Sequence, residues 1–135
     1  MSTLQKLIRA CVDEGRMLQR ESARADARRG PTLERLARER AQFVVDLEGL
    51  ESLRLRRASG SWVELLREVG RDAFVLLAGR NTGDSVAVCR RSRARTEKRY
   101  EKALEGRWSD EARRVVAGQR RRVHDEADEL IQIQF

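Results

Sequence analysis

A chain of 135 residues fits a single domain, residues 1–135, and can bury about two-thirds of its unfolded surface in one core. Apolar residues make up 40% and charged residues 38%, with one proline and 4% aromatics, a Leu/Ala/Arg/Glu-rich profile that disfavours strand-rich folds and points to an all-α protein. The longest apolar run, Ala73–Ala78, falls far short of the roughly 20 residues of a membrane span, and Asp13 and Glu14 interrupt the N-terminus before any signal-like region develops, so a soluble, cytoplasmic protein with no membrane partner is expected.

In chain order, Ser2 and Gln5 form a capping box, after which Leu4, Leu7, Ile8, Cys11, Gly15 and Leu18 trace one helical face to about Ala27. Gly30-Pro31 breaks the pattern, with Pro31 suited to a first helical position. A second helix then runs to about Arg57. Its apolar stripe reads Leu33, Leu36, Ala37, Arg40, Phe43, Val44, Leu47 and Leu50, with Glu34, Arg35, Arg38, Asp46 and Glu48 elsewhere. Arg40 is the anomaly: a permanent cation in the middle of an apolar stripe needs an anionic partner. The short break makes the first two helices antiparallel neighbours.

Ser61 and Glu64 open a second capping box, and Trp62, Leu65, Leu66, Val69, Ala73, Leu76 and Leu77 repeat at helical spacing until Gly79. Asp84 or Ser85 can cap the next helix, whose inner face reads Cys89, Arg93, Thr96, Tyr100 and Ala103. After Gly106-Arg107-Trp108, Ser109 caps a last helix with Ala112, Val115, Val116, Gln119, Val123, Glu126, Leu130 and Ile133 inward. Four long helices therefore flank an amphipathic crossover, Ser61–Ala78, about 27 Å long and able to return along the bundle. That length allows an up-down-down-up order of the long helices, a plain up-down bundle being the alternative. Cys11 and Cys89 both lie at core spacing and read as buried free thiols.

The Asp13-Glu14-Gly15 element, the run Glu39-Arg40-Ala41-Gln42-Phe43, the Trp62-bearing crossover, Cys89, Tyr100 with Ala103-Leu104, and Gln119 together resemble a bacterial ferritin-like family, a branch of four-helix bundles known as a domain of unknown function. The resemblance covers essentially the whole chain and implies a ferritin-like four-helix bundle. The resemblance implies a glutamate in relatives where this chain has Arg93 and, often, an inward histidine at or next to Ala127.

A ferritin-like di-iron centre draws one Glu from each of two helices and Glu-x-x-His from each of the other two. This chain cannot supply that set. Its one histidine, His124, lies about 140° from Gln119 around the last helix and should face solvent. Glu14, Glu21 and Glu126 are weak metal candidates only. The same middle third of the bundle holds Arg40, Arg93 and Gln119, so the six residues Glu14, Glu21, Arg40, Arg93, Gln119 and Glu126 are expected to form a buried polar network in which Gln119 bridges and guanidiniums occupy the place of the metal. No catalytic residue, metal or cofactor is expected.

The net charge of +7 is concentrated between Ser85 and Arg122, with thirteen basic residues against five acidic ones. Arg90, Arg91, Arg95, Arg113, Arg114, Arg120 and Arg121 could present a polyanion or nucleic-acid face. The interspersed glutamates make an ordinary solvated surface the expectation. The reading is a non-catalytic, arginine-rich ferritin-like bundle acting through interaction as a homodimer, with a stress-related role. A metal-binding oxidase with a depleted carboxylate site and a nucleic-acid-binding protein are the alternatives.

Overall fold

The computed structural model of the chain describes residues 2–55 and 83–134. Among the described residues the protein is all helical, with four long helices: α1 (Thr3–Arg24), α2 (Gly30–Leu55), α3 (Gly83–Leu104) and α4 (Asp110–Gln134). The crossover read over Ser61–Ala78, with Trp62, lies outside them. None of the four helices is long and apolar enough to cross a membrane.

The helix ends follow local chemistry. Ser2 Oγ accepts from Gln5 N–H and Gln5 Oε1 accepts from Ser2 N–H, both at 3.1 Å, which completes the capping box at the start of α1. The first helix stops at Arg24, three residues short of the expected end. Asp26 Oδ1 accepts from the backbone N–H groups of Arg28 and Arg29, and this turn competes with another helical turn. Gly30 follows where the chain passes close to α1: a Cβ there would stand 3.3 Å from the carbonyl oxygen of Ser22. Ser109 Oγ accepts from Ala112 N–H at 3.1 Å and caps α4 as expected. The third helix opens at Gly83, so Ser85 lies inside its first turn, fully buried, rather than at its cap.

Arginines finish the opposite ends. The guanidiniums of Arg28 and Arg29 donate to the carbonyls of Ile133 and Gln134 at 2.7–3.2 Å, and Arg113 donates to the carbonyls of Leu104 and Gly106 at 3.0 and 2.9 Å. Each places a cation on carbonyls left unpaired at a helix C-terminus, the negative end of its dipole. Trp108 Nε1 adds a bond to Ala103 O at 2.7 Å and closes the α3–α4 corner.

Helix α1 packs on α2 and α3, and α4 packs on α2 and α3. Their directions follow from residue pairs. Along α1, Cys11, Glu14 and Met17 meet Tyr100, Thr96 and Cys89, so α1 and α3 are antiparallel. Along α2, Arg35, Arg40 and Phe43 meet Glu129, Glu126 and Gln119, so α2 and α4 are antiparallel. Among the described residues the core divides into two apolar clusters. One holds Leu7, Ile8, Cys11, Val12, Phe43, Val44, Leu47, Tyr100, Ala103, Val116 and Val123, the other Leu18, Leu33, Leu36, Ala37, Val86, Cys89, Leu130 and Ile133. Between them, every helix contributes polar side chains at one level.

Candidate functional site

The polar level is centred on Arg40, which is 1% exposed, facing Glu14 at 3% and Glu126 at 0%. Its Nε pairs with Glu14 Oε1 in a short contact. Its two terminal nitrogens donate to the two oxygens of Glu126 at 3.2 and 2.5 Å, the bidentate geometry that a planar guanidinium favours. The second oxygen of Glu14 accepts from Ser92 Oγ at 3.0 Å and Thr96 Oγ1 at 2.9 Å. One guanidinium thus meets two carboxylates, and α3 supplies two hydroxyls in place of a second cation. The Arg40 guanidinium also lies 5.2 Å from the centroid of the Phe43 ring, within cation–π range.

Burial works against a charged guanidinium, but Glu14 and Glu126 outweigh it and hold Arg40 above the ordinary arginine range. Burial also pushes the Glu126 carboxyl up to about 7; Arg40 offsets this only in part, and Glu14 reinforces it. With two carboxylates around one cation, the cluster carries a net negative charge in the core when both are ionised. That charge favours a proton on Glu126.

A second polar chain crosses the bundle one level away. The Tyr100 hydroxyl donates to Gln119 Oε1 at 2.6 Å, leaving Cys11 as donor in the 3.1 Å contact with Tyr100 Oη, and Gln119 Nε2 donates to Phe43 O at 3.2 Å. Again all four helices contribute. Burial raises the Cys11 thiol to about 11 and raises the Tyr100 hydroxyl as well, so both groups stay protonated and serve as donors. Cys89 is likewise a buried free thiol, 3.7 Å from Met17 Sδ and raised by burial.

Three of the six expected network residues, Glu14, Arg40 and Glu126, come together; the other three do not. Gln119 bridges Tyr100 and Phe43 O instead of the carboxylates, because it sits about two turns from Glu126 along α4. Glu21, two turns beyond Glu14, pairs with Arg24 at 3.3 Å on its own helix. Arg93 lies on the α3–α4 flank, half-buried, donating to Glu97 at 2.5 Å and to Val123 O at 3.1 Å. His124 is exposed on the same flank, 3.2 Å from Glu97. Thr96 lies on the expected inner face of α3, whereas Ser92 takes the place there expected of Arg93. Glu48, read as lying off the α2 stripe, is buried.

The residues present do not fit a metal pair. Among the described residues no three His, Cys, Asp or Glu side chains converge to hold an ion. The oxygens of Glu14 and Glu126 that face the centre are engaged by Arg40, Ser92 and Thr96.

The seven arginines read as a polyanion face do not share one. Arg90, Arg113 and Arg120 lie along the α3–α4 junction and are spent on Gln134, on helix-end carbonyls and on Glu101. By helical phase Arg114 and Arg121 fall on the outer face of α4, whereas Arg91 and Arg95 fall on the α1 side of α3 or its outer surface. No family model, curated protein or solved structure matches the chain.

Proposed function

We propose that this protein is a non-catalytic ferritin-like bundle with its long helices in up-down-down-up order, in which a buried guanidinium takes the central position that a metal pair holds in carboxylate bundles. It acts through interaction, as a homodimer, in a stress-related role. The antiparallel α1–α3 and α2–α4 registers support the single-crossover order, since they orient α2 and α3 alike.

The observation that carries this reading is that Arg40 engages both central carboxylates. An arginine keeps its proton at any physiological pH, so a divalent ion brought to Glu14 and Glu126 meets a fixed positive charge. Purified protein incubated with Fe(II), Mn(II) or Zn(II) should hold less than stoichiometric metal and show no ferroxidase activity, and light scattering should return a dimer mass. Stoichiometric, tightly held metal that is lost on Glu14→Ala would overturn the reading in favour of a metal site.

A further inference from the structure

The exposed cations gather on a face different from the one the sequence suggests. On α3, Ser92 and Thr96 reach Glu14 of α1, whereas Arg93 reaches Val123 O of α4. At about 100° per residue, Arg91, Arg95, Arg99 and Lys102 lie on the α1 side of that helix or on its outer surface. On α1, Met17 reaches Cys89 of α3 while Gln5 reaches Glu51 of α2, which places Lys6 on the α3 side and Arg9 and Arg20 on the outer surface beside it. All seven side chains are exposed. None makes an ion pair among the described residues, and Asp13 is the one acidic side chain among them on this seam.

The antiparallel register sets like charges against each other. Since Cys11 meets Tyr100 and Glu14 meets Thr96, Lys6 falls at about the level of Lys102 and Arg9 at about that of Arg99. The opposite side of the bundle is built differently: Arg35, Arg38 and Arg122 there are each paired with Glu34, Glu39 or Glu129. Unpaired like charges aligned along a seam oppose folding unless an anion covers them.

We propose that the α1–α3 seam binds the phosphate backbone of a nucleic-acid duplex. The two rows of cations lie about one helix spacing, 8–10 Å, apart. They run for about 21 Å on α1 and about 16 Å on α3, the length of roughly five or six base-pair steps. Arginine predominates, and its planar fork matches phosphate oxygens. A lipid surface fits less well, because among the described residues the exposed large apolar side chains, Val45 and Ile131, lie on α2 and α4, away from the seam. No element is arranged to read base edges, so binding is independent of sequence.

The test is fluorescence anisotropy of a labelled DNA duplex of about 20 base pairs, titrated with the full chain from about 50 to 200 mM salt. The log–log salt slope should count four or more neutralised phosphates, roughly −3.6 or steeper. The triple variant Arg91→Glu, Arg95→Glu, Arg99→Glu should lose at least about tenfold in affinity and flatten the slope. A control with nearly the same charge change on α4, Arg114→Glu with Arg121→Glu and His124→Glu, should stay within about threefold at each salt concentration. Circular dichroism confirms that both variants fold; should the triple variant not fold, Arg95→Gln alone carries the test through a slope lower by about one. Absence of binding at low salt, equal loss in seam and control variants, or binding to phosphatidylserine vesicles without binding to the duplex would each overturn the proposal.

Discussion

Two arginine sites in this bundle, Arg40 at its centre and Arg93 on its flank, hold the same side chain under opposite conditions. Arg40 is fully enclosed and meets side chains from the three other helices, directly or through Glu14. Arg93 stays half-buried, pairs with Glu97 one turn along its own helix and touches one carbonyl of α4. Water can replace what Arg93 loses, whereas nothing at the centre can replace Arg40. A buried cation therefore acts as a structural requirement, while a flanking one remains a local convenience.

The largest expected effect breaks that contrast at its centre. Arg40→Leu leaves Glu14 and Glu126 enclosed without a cation and should cost about 3–5 kcal/mol in urea unfolding. Replacing the whole triad, Arg40→Met with Glu14→Leu and Glu126→Leu, should recover most of that loss, because the penalty comes from the stranded charge and not from the missing bonds. A triple variant as unstable as Arg40→Leu would show that geometry, not charge, sets the cost.

A smaller effect is sharpened by pH. Folding raises Glu126 from its ordinary value of 4.5 to about 7, so the folded state binds a proton that the unfolded chain releases. Its contribution is therefore fully present below about pH 4.5 and fades as pH rises toward 7, by up to a few kcal/mol at about 1.4 kcal/mol per unit. Glu97, beside Arg93 and His124, has the opposite sign. Its burial is outweighed by these partners, which hold it below 4.5, so it contributes stability above that value and loses it as pH falls. Unfolding midpoints measured from pH 4 to 8 should rise toward acid more in the wild-type protein than in Glu126→Gln. An unchanged profile in Glu126→Gln would mean that this carboxyl is ionised throughout.

The smallest expected effect concerns the flank alone. Arg93→Met removes a solvated pair and should change stability by no more than about 1 kcal/mol, less still at high salt. A loss comparable with Arg40→Leu would place Arg93 in the interior after all.

Arg40 could be recognised from the sequence because it sits in the middle of its stripe, between Ala37 and Phe43, where any neighbouring helix must enclose it. Glu14 and Glu126 were legible for the same reason. Arg93 differs from its expected place because helical phase alone does not say where a stripe ends. It lies about 60° from Thr96, at the edge of the buried arc, and its long stem carries the guanidinium outward. Glu21 and Gln119 each stand about two turns from a triad member on their own helix, a spacing the sequence does show, but which of the two levels receives Arg40 is not legible there. Distance along the axis is fixed by register between helices, and register is set by packing that no single helix encodes. The cationic seam is not legible for the same reason, since its two rows lie on helices far apart in the chain and adjoin only once α1 lies antiparallel to α3.

The polar level also has a consequence for the order of assembly. Glu14 and Arg40 are 26 residues apart and belong to the hairpin of α1 and α2, while Glu126 lies 86 residues from Arg40 and belongs to the hairpin of α3 and α4. The first hairpin can close around a neutral pair with little loss of loop entropy, whereas the second brings in an anion that has to find its cation across a long loop. A slip of one helical turn during that encounter would set Arg40 against Val123 or Leu130 instead of Glu126. The triad therefore works as a proofreading step on docking, rejecting compact but misaligned pairings of the two hairpins that an all-apolar seam would tolerate.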